Sequence, residues 1–132
     1  MHKLTRIKKA AMTRDIELEN LETGTLDFCF DDSALVSYDN FEFMEKDENY
    51  ECKIKLFGEM AKDYGERVLK CNVVSTDILI GKKLFISVLV GEDMYYIYQH
   101  KLEHKCNQKE FLFLVSRKDI IQVNNVLHPD LL

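Results

Sequence analysis

The chain has 132 residues, 46% of them hydrophobic and 31% charged, which is the composition of one globular domain rather than of a disordered or fibrous protein. Its uninterrupted apolar runs are far shorter than the ~20 residues that a membrane-spanning helix needs, which excludes such a helix. The formal net charge of −5 is unevenly spread, because residues 1–14 hold five bases and no acid, whereas residues 15–51 hold thirteen acids and a single base.

The basic start is the first predicted element. Leu4, Ile7 and Ala11 recur at spacings of three and four, which is typical of one face of a short amphipathic helix. We therefore predict a basic N-terminal extension over residues 1–11, followed by a single β-rich domain over residues 12–132. This extension is interpreted as a segment that the fold does not need, with a targeting peptide or a membrane-surface anchor as the alternatives.

Alternation of apolar and polar residues, the pattern of half-buried strands, dominates the domain itself. Ile16 and Leu18 alternate with acids, and we predict a strand rather than a helix for residues 12–22. The same pattern, or a short apolar run between turn residues, predicts further strands at Thr25–Phe30, Ala34–Tyr38, Tyr50–Leu56, Leu84–Val90, Met94–Gln99 and Phe111–Val115.

Two segments allow more than one prediction. Arg67–Ile80 contains either two strands or one bent strand, because polar residues interrupt it. Ser116 and Asp119 have the spacing of a helix capping box, and the apolar residues that follow share a helical face, so a short C-terminal helix is favoured. A last strand through Ile120–Val123 stays open as the alternative.

The sum is seven to nine short strands with frequent turns. This pattern predicts an all-β fold, a small antiparallel barrel or sandwich with an OB-like barrel favoured and with one short C-terminal helix as an option. Parallel winding is disfavoured, because too few helices separate the strands.

The cysteines indicate the compartment rather than a site. Cys29, Cys52, Cys71 and Cys106 lie at least 19 residues apart, so no pair has the close spacing that zinc ribbons and redox motifs need. The first three lie in apolar runs, where free cysteines behave as small buried hydrophobes. We expect them to be reduced, and the protein to be cytoplasmic.

A weak metal candidate lies in the polar segment after the tyrosine-rich strand. His100, His104 and Cys106 could supply three zinc ligands. Lys101 and Lys105 flank them and would repel a cation, so a solvated loop is the favoured interpretation. We therefore predict no metal and no other cofactor.

The acidic first half supplies the leading hypothesis for function. Carboxylates presented together attract a positively charged partner and repel phosphate, although a solvated face kept for solubility is the simpler alternative. We predict a protein-binding module, of the inhibitor or immunity kind, that uses the acidic residues Asp27, Asp31, Asp32, Asp39, Glu45, Asp47 and Glu48.

Two other functions stay open, as does the oligomeric state. A single-stranded nucleic-acid binder would use stacking aromatics beside cations, for which the candidates are Tyr95, Tyr96, Tyr98, Lys82, Lys83 and Lys101. A small-molecule binder or enzyme would use a pocket in the barrel. Enzyme activity is disfavoured, because the chain has no nucleophile elbow, P-loop or dinucleotide-binding motif.

Overall fold

A computed structural model describes residues 1–35, 40–102 and 109–132. These residues form an all-β fold, as predicted, with three short 3₁₀ helices at Ser33–Leu35, Gln99–Leu102 and Pro129–Leu131. The strands are β1 (His2–Lys9), β2 (Arg14–Asn20), β3 (Leu26–Asp31), β4 (Asn49–Tyr50), β5 (Cys52–Ala61), β6 (Val68–Ile80), β7 (Lys83–Val90), β8 (Asp93–Tyr98), β9 (Glu110–Val123) and β10 (Val126–Leu127). None of the helices in these ranges has the length and apolar character to cross a membrane.

Five strands close a barrel, which confirms the predicted class. Around the barrel the order is β9, β5, β8, β7 and β6, and β6 returns to pair with β9. The 14-residue strand β9 makes this closure possible, because it pairs with β5 along most of its length and with β6 from Glu110 to Leu114. Most pairings are antiparallel, but β5 runs parallel to β8.

The remaining strands extend the sheet from one side of the barrel. β3 runs parallel to β9, and β2, β1 and β4 continue outward from it in antiparallel order. Their inner side chains join the barrel core, in which Leu4, Ile16 and Leu18 are almost completely buried.

The basic N-terminus belongs to this sheet, so the predicted helix was wrong. His2–Lys9 is strand β1, and the boundary predicted after residue 11 falls inside the hairpin between β1 and β2. The pairing register shifts between Leu4 and Arg6, so one extra residue, Thr5, is inserted into β1. Such a bulge turns two apolar residues three positions apart, Leu4 and Ile7, toward the same side. Their helical spacing is therefore that of a bulged strand.

The predicted C-terminal helix was also wrong, and the strand alternative was right. Residues 117–123 continue β9, and β10 pairs back onto its end. The register with β5 shifts between Lys53 and Ile54, and Asp119, Ile120 and Ile121 are all buried in succession. Because the bulge interrupts the alternation of apolar and polar residues, the sequence pattern did not indicate a strand here.

Other local predictions had mixed outcomes. Within the segment Arg67–Ile80, residues Val68–Ile80 form one strand, β6, with two register shifts along its pairing with β7. Ser33–Leu35 forms a 3₁₀ helix that overlaps the start of the strand predicted at Ala34–Tyr38, and residues 36–39 lie outside the described ranges.

The three described cysteines are unpaired, as predicted. Cys29 and Cys71 are buried, Cys52 is half-buried, and all three are free. Burial raises the pKa of Cys52 and of Cys71 to about 12 and raises that of Cys29 as well, so these thiols are protonated and unreactive at neutral pH. Cys106 lies outside the described residues.

Candidate functional site

Two members of the predicted acidic surface are buried. Asp27 is 2% exposed and accepts hydrogen bonds from Tyr95 Oη at 2.8 Å and from Lys118 Nζ at 2.5 Å. Asp31 is 3% exposed and accepts two hydrogen bonds from the Arg14 guanidinium, at 2.8 and 3.1 Å. Both charges are neutralised inside the fold, so neither carboxylate belongs to an exposed acidic face.

The other predicted acids are separated. Asp32 is partly exposed and bonded to His128, whereas Glu45, Asp47 and Glu48 are exposed together in the loop before β4. Asp39 lies outside the described residues.

The acids of β2 are balanced by the N-terminal strand. Glu19 lies opposite Lys3, Glu17 opposite Arg6 and Asp15 opposite Lys8 in the β1–β2 register. Opposite charges at directly paired positions attract one another across antiparallel strands. Much of the acidic character predicted for this region is therefore offset within the same sheet.

The tyrosine hairpin has the alternation that was predicted. Tyr95 points into the core, whereas Tyr96 and Tyr98 lie on the outer face of β8 and are only partly buried. Tyr98 stacks on Phe85 at a ring-centroid distance of 4.9 Å, and Lys55 Nζ lies 4.3 Å from its ring centre. Tyr95 is therefore unavailable for stacking on a ligand.

The lysines of the nucleic-acid hypothesis lie at three exposed positions. Lys82 is in the turn between β6 and β7, Lys83 begins β7, and Lys101 lies in the 3₁₀ helix after β8. Of these, Lys101 has an aromatic contact, with its Nζ 5.6 Å from the centre of the Phe57 ring.

The predicted metal ligands fall mostly outside the described ranges. His100 is exposed, and its ring lies 5.3 Å from that of Tyr98. His104 and Cys106 are not among the described residues, so this candidate stays a prediction.

Strand β3 carries its apolar side chains on the outside, which the sequence interpretation missed. Its inner row is Asp27, Cys29 and Asp31, and its outer row is apolar. Within that outer row Phe28 is 67% exposed. A strand packed on a core normally has the reverse arrangement, with apolar residues inside. The apolar row of β3 is therefore available to a partner.

This outer row continues across the neighbouring strands as a connected surface. Arg117 of β9 lies between two rings, with its guanidinium carbon 5.0 Å from the centre of Phe30 and 4.8 Å from that of Phe57. A guanidinium over an aromatic face is attracted by the ring quadrupole, which holds the side chain in place. We call this surface the outer stripe, defined by Leu26, Phe28, Phe30, Arg117 and Phe57.

A small charged cleft borders the outer stripe. It encloses about 60 Å³, and Arg117, Lys55, Asp119 and His128 are among its lining residues. Asp119 accepts hydrogen bonds from Arg117 Nε at 2.6 Å and Nη2 at 3.2 Å, and Lys55 Nζ is 3.5 Å away. Burial lowers the pKa of Lys55, while the attraction of Asp119 opposes this effect.

His128 and two carboxylates form one wall of this cleft. Asp32, His128 and Asp130 offer three ligand atoms within 4.8 Å of one another, a set that divalent transition metals accept. His128 Nε2 is hydrogen-bonded to Asp32 Oδ1 at 2.7 Å, and its Nδ1 accepts the Asp130 backbone N–H at 3.1 Å. Because both ring nitrogens are engaged and Lys55 lines the same cleft, the geometry favours a structural role for this group.

No protein-family model, curated protein or solved structure matches this chain.

Proposed function

We propose that this chain is a protein-binding module that docks its partner on the outer stripe. The observation that carries the proposal is the inverted strand β3, which buries Asp27 and Asp31 and leaves Phe28 67% exposed. Burying ionised carboxylates is costly unless each is paired, and exposing an apolar row brings no compensating stability. An arrangement with both features is expected where the exposed apolar row is used for binding.

The residue types of the outer stripe suit a protein partner. Aromatic residues and arginine are enriched in protein interfaces and dominate their binding energy, because they present large and rigid contact areas. Arg117 is held between Phe30 and Phe57, which reduces the conformational entropy that it would lose on binding.

The charges beside the outer stripe favour a protein over a nucleic acid. In the β2–β3 register, the three acids of β2 lie directly opposite the apolar row: Asp15 opposite Phe30, Glu17 opposite Phe28 and Glu19 opposite Leu26. The basic residues of β1 offset much of this charge, but β2 lies between β1 and β3. A nucleic-acid backbone laid along β3 would therefore meet the carboxylates before the basic residues and be repelled. A protein with an apolar patch and neighbouring basic groups meets no such penalty, in keeping with the basic partner that the composition suggests.

The test is affinity capture from the native host with matched variants. Phe28→Ser should lose a partner that the wild-type chain retains, whereas Leu79→Ser should keep it, because Leu79 is equally exposed, at 67%, but lies on β6. Urea unfolding should give both variants the same free energy of unfolding as the wild type. Equal capture by the two variants would contradict the outer stripe as the docking surface.

The exposed acidic loop is tested in the same experiment. Reversing Glu45, Asp47 and Glu48 to lysine should weaken capture if carboxylates contribute to the encounter with a basic partner, and the effect should shrink as salt increases. If this variant loses the partner while Phe28→Ser retains it, the docking surface is the acidic loop.

Single-stranded nucleic acid is the second candidate, favoured by the cations that lie over Phe57. Arg117 and Lys101 are both within 6 Å of its ring centre, and stacking aromatics beside cations are the elements of a single-strand site. A gel shift at about 50 mM salt should give a complex that Phe57→Ser removes if this candidate is right. No complex at that salt concentration would eliminate it.

A further inference from the structure

A second, wider depression opens on the other side of Phe28 from the β2 carboxylates. It encloses about 300 Å³, within the range of small-ligand sites. Its apolar lining comes from Phe28, Leu69 and Val115. Its polar lining is Ser116 and three cations, Arg67, Arg117 and Lys118. A pocket of this kind suits a ligand that has an apolar body and an anionic group.

Among the described residues, the ion pairs around the depression leave one positive charge uncompensated. Lys118 is paired with Asp27 at 2.5 Å, and Arg117 is paired with Asp119 at 2.6 Å. Arg67 makes no ion pair with any carboxylate within residues 1–35, 40–102 and 109–132, and its side chain is exposed at the mouth of the pocket. One free cation matches a monoanion, which favours a carboxylate over a doubly charged phosphate.

The backbone holds Arg67 in an unusual conformation. Its φ of 64° lies in the left-handed region, where glycine and asparagine are favoured and arginine is uncommon. The residue is fixed there because its carbonyl oxygen accepts the Val115 N–H at 2.9 Å, which ties the start of β6 to β9. An arginine at a backbone conformation that favours other residues points to a use for its guanidinium.

We propose that this pocket binds a carboxylate carried on an aromatic or apolar body, with the Arg67 guanidinium on the carboxylate and the body against Phe28. The carboxylate could come from a free small acid or from an acidic side chain of a docked protein. The site goes beyond the protein-docking proposal, because a free acid needs no partner on the outer stripe.

The test is an NMR titration of the ¹⁵N-labelled full chain with 3-phenylpropionate and with its uncharged analogue 3-phenylpropanamide. The acid should give saturable shifts at the Arg67, Leu69 and Ser116 amides at millimolar concentration, and the amide should bind about ten-fold more weakly. Equal binding of the acid and the amide would overturn the proposal. So would the absence of a saturable shift with both the acid and the peptide described below.

Variants and a peptide complete the test. Arg67→Asn keeps a residue that tolerates a positive φ and should weaken binding of the acid about ten-fold, whereas Arg6→Asn, on the exposed face of β1, should not. An unchanged affinity in Arg67→Asn would refute the role of the guanidinium. Saturation by a capped Phe-Glu peptide but not by the free acid would assign the carboxylate to a protein side chain and support the proposal.

The outcome is separable from that of the docking experiment. Arg67 lies outside the outer stripe, so loss of partner capture in Phe28→Ser with no binding of acid or peptide would leave the docking proposal intact and refute the pocket alone. Binding of the acid, together with unaltered partner capture by Phe28→Ser, would support the pocket and refute the docking proposal.

Discussion

The buried carboxylate of Asp27 gives the sharpest test of the inverted strand. Asp27→Asn keeps the shape of the side chain but removes its charge, so that Lys118 Nζ and Tyr95 Oη must share one neutral acceptor oxygen. Breaking a fully buried ion pair costs about 3–5 kcal/mol. The Lys118 side chain is 24% exposed and can turn its ammonium toward water, which places the expected loss at the lower end, about 3 kcal/mol.

The assay is urea unfolding, combined with a double-mutant cycle. With a denaturant slope of about 2 kcal/mol per molar, the midpoint for Asp27→Asn should fall by about 1.5 M. Adding Lys118→Met removes the unpaired ammonium and should recover about 1–2 kcal/mol of that loss. If Asp27→Asn lowers stability by less than about 0.5 kcal/mol, the value typical of an exposed site, Asp27 belongs to an acidic surface and the inverted strand is refuted.

Three other perturbations test the barrel and its closing segment. Gly58→Ala places a Cβ 1.8 Å from a β9 carbonyl oxygen and should cost about 3 kcal/mol in urea unfolding. Gly65→Ala should cost little, because its Cβ would make only an ordinary contact, 3.8 Å from the Val68 side chain, and similar losses in the two variants would contradict the close β5–β9 approach. The pKa of Tyr95 is raised by burial and, to a lesser extent, by the nearby Asp27 charge, so the folded state retains the phenol proton. Stability should therefore fall as the pH rises above about 10, where the unfolded chain loses this proton. Tyr95→Phe should flatten that decline, and an unchanged slope would count against a buried hydroxyl. His128→Ala removes the hydrogen bond to Asp32, which lies between β3 and the first 3₁₀ helix, and should speed amide hydrogen exchange in the C-terminal segment. Unaltered protection there would show that His128 does not anchor this segment.

Much of the secondary structure was predictable, because apolar and polar residues alternate along a regular strand that has one buried and one exposed face. Tyr50–Leu56 and Leu84–Val90 were found where their patterns placed them, within β4–β5 and β7. The prediction failed where a bulge inserted one residue, since a bulge converts the two-residue period into a three-residue spacing or a buried run. This is why β1 and the second half of β9 resembled helices.

The sequence by itself determined that β3 is a strand with two chemically different rows, but it could not determine which row faces the core. That choice depends on groups distant in the chain: Lys118 lies 91 residues from Asp27, and Arg14 lies 17 residues from Asp31. Only the tertiary structure brings these cations to the inner row, and a carboxylate becomes stable in the interior only when such a partner is in place. The position of Arg117 between Phe30 and Phe57 was decided in the same way, because three strands must pair before those side chains can meet.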